Sequence, residues 1–305
     1  MSGSWREPHV PPGAPLLYRS WANYPVFNFS YSLASDIDNC GQKAIYNRFQ
    51  GLTEILENAS FKFGICCEES IVEHIRVGGN AEEGFIIRWT KFKDIPLKYT
   101  KRDSSWSHLL QIGRALMRIF MRQVTKPPLS TVLVNPDFSV VYPLEQNQTW
   151  YKGTRLDYIA DCIGNPPSGP ILLDFKTSGS TYGEDSGVPG VSALDPQLLT
   201  GALMSGIRRV GFIALVKTNE PKVEFVEGTV TDKMLESVDL WLREQYDKLV
   251  EKRLFMRPGV RWPNDHCKIC SYLQKCLGNE DLAKKTLKVK QSKATAEQLV
   301  MIDEM

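Results

Sequence analysis

Hydrophobic and polar positions give the chain two textures. Apolar residues recur at helical spacing through 32–50 (SLASDIDNCGQKAIYNRFQ), 61–77 and 105–124 (SWSHLLQIGRALMRIFMRQV), which predicts three helices, the first N-capped by Ser32 or Ser35. Past residue 130 the apolar runs shorten, turn β-branched and are split by Asn, Pro and Asp. TVLVNP, FSVVYPL, RLDYIADCIG, PILLDFKTS, RRVGFIALVKT and KVEFVEGTV read as strands, with a helix at 195–206 between the fourth and fifth. A long helix at 231–254 opens on Thr231 or Asp232, and a cysteine-bearing segment follows it.

A helical first half leading into a meander and a strand–helix–strand unit predicts an α/β fold, a central mixed sheet flanked by helices. The expected organisation is a disordered lead-in over 1–25 and a single domain over 26–280. Within that domain the helical part covers 26–125, the sheet core 130–230, and the last helix with the cysteine segment 231–280. The Lys-rich tail, 281–305, reads as solvated and flexible.

Composition narrows the picture little: the 305 residues are 42% hydrophobic and 24% charged, with a net charge of +2. Any nucleic-acid surface must therefore be local. No stretch approaches the ~20 apolar residues that span a bilayer. The N-terminus lacks a basic-then-apolar signal, so a cytoplasmic location and no membrane partner are expected.

Chemistry concentrates in PILLDFKTS. Asp174 and Lys176 are two apart, so on a strand they share a face while Phe175 takes the other. Alone, such a pair reads as a surface ion pair worth at most ~1 kcal/mol. Upstream, however, Asp157 interrupts a second apolar strand in KGTRLDYIADC. Two strands that each place an aspartate inside need an explanation, because an unpaired buried carboxylate is costly. A hard divalent cation such as Mg²⁺ supplies one, since it takes carboxylates, water and phosphate as ligands. A neighbouring lysine would then orient or deprotonate water and offset charge developing on the phosphate.

GTRLDYIAD, PILLDFKTS and DPQLLTGAL together resemble the core of the PD-(D/E)xK nuclease superfamily, in its RecB-like branch. The resemblance implies a restriction-endonuclease-like core and sets Asp157, Asp174, Lys176 and Gln197 at a metal and DNA site. FKFGICCEESIVEHI is similar to the family's first motif, whose His or Glu lies four residues after a glycine. Counted from Gly64 this is Glu68, or Glu69 if the register slips by one. Two departures stand out. Gly201 occupies a position where RecB-like members often carry tyrosine, and the glycine of GTRLD is one residue further from Asp157 than usual. Asp161, four positions on, is therefore the alternative ligand to Asp157.

The seven cysteines divide by context. Cys66, Cys67 and Cys162 lie in apolar stretches and read as core residues. HCKICSYLQKC spaces Cys267, Cys270 and Cys276 as C-x2-C-x5-C, a pattern for thiolate ligation that lacks a fourth ligand. Cys40 offers one, and thiolates suit an iron–sulfur cluster or Zn²⁺. The segment FSYSLASDIDNCGQKAIYNRF resembles the opening of RecB-like nucleases that carry a cluster, such as AddB nuclease domains and CRISPR spacer-acquisition nucleases. That implies a structural [4Fe–4S] cluster on Cys40, Cys267, Cys270 and Cys276, with Zn²⁺ as the alternative. His266 is a further imidazole beside this set.

The function this implies is a Mg²⁺- or Mn²⁺-dependent deoxyribonuclease, exonuclease favoured over endonuclease. Its substrate would be DNA, single-stranded or end-containing duplex, in recombination, repair or phage DNA processing. A helicase, annealing or recombination protein is the partner class left open, with a bacterial cell or phage-infected host as the setting. The alternative is a catalytically idle DNA-binding or assembly subunit with the same fold and cluster, a reading that Gly201 sustains. KFKDIPLKYTKR interleaves lysines with Phe92 and Tyr99, either a track for a nucleic-acid backbone or a solvated connection.

Overall fold

In a computed structural model of the chain, residues 28–101, 103–145, 147–182, 190–251, 253–259 and 266–289 are described. The chain divides into two units. One holds Val26–Ser35 and Leu56–Glu251, and the other holds Asp36–Ile55 together with the chain from Lys252 onward.

The larger unit is built on a six-stranded sheet. Its strands are β1 (Asn28–Ser30), β2 (Asp137–Tyr142), β3 (Arg155–Gly164), β4 (Ile171–Ser178), β5 (Arg209–Val216) and β6 (Lys222–Thr229). β1 runs parallel to the first residues of β3, and β2 pairs antiparallel with the remainder. Across the centre, β3 and β4 are antiparallel, β4 and β5 parallel, and β5 and β6 antiparallel. The expected mixed sheet is present. The parallel β4–β5 pair requires a crossover, and residues 190–205 supply it.

Five helices flank the sheet in this unit: α1 (Ala59–Val77), α2 (Ala81–Thr90), α3 (Trp106–Gln123), α4 (Pro196–Ser205) and α5 (Asp232–Val250). Asn58 caps α1 through the amides of Ser60 and Phe61, and Gly78, in the left-handed region, ends it. Asn80 then caps α2 in the same way. Phe63, Phe85, Trp89, Leu116 and Phe120 from α1–α3 bury themselves against Leu173, Phe175, Ile213 and Leu215 of the sheet. Each large side chain taken from water here contributes roughly 1.5–3 kcal/mol. The indoles of Trp89 and Trp106 each donate to the other's carbonyl at 3.0 Å, which satisfies both buried N–H groups.

The structure adds to and changes the sequence reading in this unit. AEEGFIIRWT, to which the sequence pattern assigned no element, forms α2, because Ala81, Phe85 and Trp89 fall four apart and bury one stripe. The start of TVLVNP belongs to a helical turn, Leu129–Val132, rather than a strand, since Leu129 and Val132 bury the same side. In KFKDIPLKYTKR, Leu97–Lys98 pairs with Glu57–Asn58 while Phe92 and Tyr99 pack on the helical core. Those two aromatics are thereby half-buried.

The smaller unit consists of short pieces. The helix expected over 32–50 breaks at Cys40, whose backbone is extended, into Tyr31–Asn39, Gly41–Ala44 and a π-turn at Ile45–Phe49. His266–Ile269, Leu273–Cys276 and Glu280–Thr286 are helical turns, and Leu287–Val289 pairs antiparallel with Leu52–Glu54. The tail expected to be solvated from 281 is therefore helix and strand as far as Val289, anchored by buried Ala283 and Leu287. The lead-in over 1–25 and the rest of the tail lie outside the described residues. Among the described residues no helix is long and apolar enough to cross a membrane.

Candidate active site

Strand β4 enters the larger unit as Ile171, Leu172 and Leu173, all buried, and carries Asp174 in with them at 2% exposure. Lys176, on the same face, stands with Nζ 2.7 Å from Asp174 Oδ2. Helix α4 supplies the third member. Asp195 accepts from the amides of Gln197 and Leu198, and Pro196 occupies the first turn, so the helix starts where Gln197 faces β4. Gln197 Nε2 donates to Asp174 Oδ1 at 2.8 Å, and Lys176 Nζ donates to Gln197 Oε1 at 3.0 Å. The three side chains close a ring in which Lys176 stands against Asp174 Oδ2, an oxygen without a hydrogen bond of good geometry among the described residues.

A second carboxylate joins them at a fork in the sheet. The β3–β4 ladder ends at Cys162↔Leu173, so the next pair in register, Asp161 and Asp174, stands where the strands part. Burial pushes Asp174 well above the usual carboxylate range, Lys176 opposes that, and Asp161, within hydrogen-bonding reach, adds to it. Glu68 enters from α1, half-buried. Burial, then the charges of Asp161 and Glu69, push its carboxyl up to about 7 against the pull of Lys176. Burial works against the charge of Lys176, yet Asp174, and behind it Asp195 and Asp161, hold it above its ordinary value, so it is an ammonium. Glu69, the one-residue alternative, is exposed and pairs with Arg88 at 3.1 Å.

Asp157 takes a different place. Its Oδ1 accepts from Arg155 Nε at 2.7 Å, and it lies opposite Ser30 of β1. Asp157 lies four residues further than Asp161 from the last β3–β4 pair, Cys162↔Leu173, and so beyond the reach of Asp174. Of the expected set, the structure brings Asp174, Lys176 and Gln197 into contact and sets Glu68 beside Asp161, the alternative to Asp157.

Sequence reading missed two tyrosines. Burial and then Asp195 raise the Tyr31 phenol, on which Lys176 and Asp174 also act. Tyr158 is buried at 6% exposure, its phenol raised by burial and then by Asp174, Asp161 and Asp195. A signal for Tyr158 existed: glycine inside a helix costs ~1 kcal/mol relative to alanine, so Gly201 asks what approaches it.

The smaller unit gathers Cys40, Cys267, Cys270 and Cys276, all of them free thiols. Burial raises the Cys276 thiol; a hydrogen bond from Tyr46 lowers it, and Cys270, Cys40 and Cys267 add to the rise, so the four sulfurs act on one another. Gly259 N–H donates to Cys267 Sγ at 3.3 Å. His266 faces the Arg257 carbonyl at 2.6 Å. Cys66, Cys67 and Cys162 are buried, as expected of core residues.

Among the described residues no three carboxylate, imidazole or thiol groups converge closely enough to hold an ion as they stand. The donor sets nonetheless suit the expected groups. Buried oxygens with one Asp174 lone-pair site unserved match a hard cation that also takes water and phosphate. Four neighbouring thiols match a soft metal or an iron–sulfur cluster.

No protein-family model matches the chain, and no curated protein does. Among solved structures, a candidate exonuclease from Eubacterium rectale is 12% identical over 89% of this chain and 92% of its own, with a TM-score of 0.46. LHK-Exo, solved in complex with dAMP, is 9% identical over 73% of this chain and 100% of its own, with a TM-score of 0.31.

Proposed function

We propose that the chain is a divalent-metal-dependent deoxyribonuclease that hydrolyses DNA phosphodiester bonds, acting as an exonuclease in recombination, repair or phage DNA processing. One observation carries this reading. A carboxylate at 2% exposure, Asp174, is fixed by Gln197 and Lys176 and faces a second carboxylate, Asp161, with a third, Glu68, beside it. Three acids against one ammonium leave an excess of negative charge that a Mg²⁺ or Mn²⁺ ion would balance.

In this reading Asp161 and Asp174 hold the ion, with Glu68 on a third side. Bound there, the ion would supply Lewis-acid stabilisation of phosphoryl charge. The chain's own residues do the rest. Gln197 locks the Asp174 carboxylate in one rotamer and receives the Lys176 ammonium, which keeps that cation at the mouth of the site. As an ammonium, Lys176 orients the attacking water and offsets charge on the phosphate rather than removing a proton. The water oxygen bonds to phosphorus as one of its protons passes to solvent, the bond to the departing sugar oxygen breaks, and that oxygen takes a proton back from solvent.

Gly201, which sustained the idle-subunit reading, does not mark an empty place in the site, because Tyr158 fills the space beside it. In the smaller unit Cys40, Cys267, Cys270 and Cys276 would hold a structural [4Fe–4S] cluster, or Zn²⁺, tying together segments distant in sequence. Iron, sulfide and zinc analysis of anaerobically purified protein decides between the two.

The test of function compares linear single-stranded, linear duplex and covalently closed DNA with Mg²⁺, Mn²⁺ or EDTA, with Lys176→Ala in parallel. Metal-dependent loss of linear DNA that spares the circle and fails in the variant is the expected result. A folded, metal-replete chain that cleaves none of the three refutes the enzyme.

A further inference from the structure

Phe61 holds an aromatic ring at 66% exposure in the first turn of α1. The ring gains little from burial there, and an acidic residue would suit a helix start better. Its setting is nevertheless rigid. Asn58 accepts from the amides of Phe61 and Ser60, the Ser60 hydroxyl donates to Asp103, and Lys62 pairs with Glu57 at 2.9 Å. Phe63, next but one, is fully buried. The backbone on either side of Phe61 is therefore fixed while its ring faces solvent.

Two further observations bear on what the ring meets. Phe61 precedes Glu68 by seven residues, two helical turns, so the two share one stripe of α1 about 10 Å apart along its axis. Gly64, between them on that stripe, lies against Thr177 near the end of β4, where an added Cβ would stand 3.0 Å from the threonine hydroxyl. The same turn is also fastened to the lysine-rich segment 91–101. Glu57–Asn58 pairs with Leu97–Lys98, and Lys62 Nζ lies 5.7 Å over the Phe92 ring. Residues 57–62 and 91–101 carry five lysines against two acids, Glu57 and Asp94, and Lys91, Lys93, Lys98 and Lys101 are exposed. Lysine is depleted at protein–protein interfaces, so this patch suits a polyanion better than a protein. An aromatic face among cations is the combination that tracks a phosphate backbone and stacks its unpaired bases.

We propose that Phe61 is a stacking platform for one base of a single-stranded DNA substrate, two to three nucleotides from the phosphate at Asp161 and Asp174. The interval follows from about 10 Å of helix at about 3.4 Å per nucleotide. The inference rests on the nuclease reading and deepens it by choosing the substrate class. Bases inside a duplex already stack on one another and offer no free face to the ring.

Binding of a labelled single-stranded oligonucleotide and of its duplex is measured in EDTA by fluorescence anisotropy, for wild type, Phe61→Ala, Phe61→Leu and Phe61→Tyr. The first two variants lose the aromatic face and the third keeps it. Single-strand binding should weaken by about 5-fold or more in Phe61→Ala and Phe61→Leu and stay at the wild-type level in Phe61→Tyr. Duplex binding and the unfolding midpoint should not change. With Mn²⁺, an abasic site two or three nucleotides from the cleaved phosphate should raise KM for wild type but not for Phe61→Ala. Wild-type single-strand binding by Phe61→Ala overturns the proposal, as does wild-type binding by Phe61→Leu, which marks an apolar contact without stacking. An equal loss on single strand and duplex, or an abasic penalty equal in both proteins, also overturns it. A wild-type chain that binds single strands through Phe61 yet cleaves neither form overturns the nuclease reading and leaves the platform standing.

Discussion

Glu68→Gln should make the metal-free protein more stable while disabling it. Burial raises the Glu68 carboxyl from its ordinary 4.5 to about 7. The folded state therefore holds this proton more tightly than the unfolded chain does, and ionising the group costs stability. That cost is absent below pH ~4.5, grows as pH rises, and is complete above pH ~7. The gap between 4.5 and about 7, at ~1.36 kcal/mol for each pH unit, sets a ceiling of about 3.4 kcal/mol. The site is only half-buried, so solvent screening reduces this to about 1.5–2 kcal/mol. Glutamine carries no charge and keeps the shape. In EDTA at pH 8 the variant should melt about 3–6 °C above wild type, and at pH 4.5 the two should coincide. Added Mn²⁺ should raise the wild-type midpoint by mass action and the variant midpoint far less. Thermal unfolding followed by circular dichroism across pH 4.5–8, with and without Mn²⁺, measures all of this. A variant no more stable than wild type at pH 8 refutes the claim that Glu68 sits in an acid-crowded pocket. An equal Mn²⁺ response in both proteins refutes its place at the ion.

Three further outcomes follow from the geometry. Asp161→Asn should lower cleavage by roughly 100-fold or more, whereas Asp157→Asn, which loses only the Arg155 pair, should stay within a few-fold; steady-state rates on linear DNA decide, and the reverse order would restore Asp157 as the ligand. Gly201→Ala drives a methyl group into the Tyr158 ring and should cost about 1–3 kcal/mol by urea unfolding. Lys217→Met removes the ammonium that pairs with Asp103 at 6% exposure and should cost about 3–5 kcal/mol by the same measurement, without altering cleavage per folded molecule.

Much of the fold was legible because its elements are long and strongly patterned. β3 to β6 and the helices at 61–77, 105–124, 195–206 and 231–254 all lie where the apolar period sets them. α2 was not legible, because ten residues carrying one buried stripe, interrupted by Gly84, make a weak periodic signal. At the site, the Asp174–Lys176 pair could be read from local spacing, and Gln197 only from the family resemblance. The choice between Asp157 and Asp161 could not, since both alternate identically along β3. It depends on where the β3–β4 ladder ends, a long-range fact.

The same unit contains a built-in contrast to the Asp174–Lys176 pair. Lys217 and Asp103 also meet at 2.8 Å, each with its side chain at 6% exposure, but there the Ser60 hydroxyl bonds the carboxylate and the ammonium lies 5.5 Å over the Phe63 ring. There a neutral hydroxyl and an aromatic face buttress the ion pair. Asp174 is buried more deeply, yet its lysine is 27% exposed, and two further acids crowd the same fork. A structural ion pair gains nothing from added like charge, which raises the cost of every carboxylate in the group. Acids crowded at the mouth of a buried pocket hold their protons more tightly or take up a cation. In the proposed reading, a bound cation accounts for the extra acids beside Lys176, which the Lys217 pair shows are not needed to bury a lysine–aspartate contact.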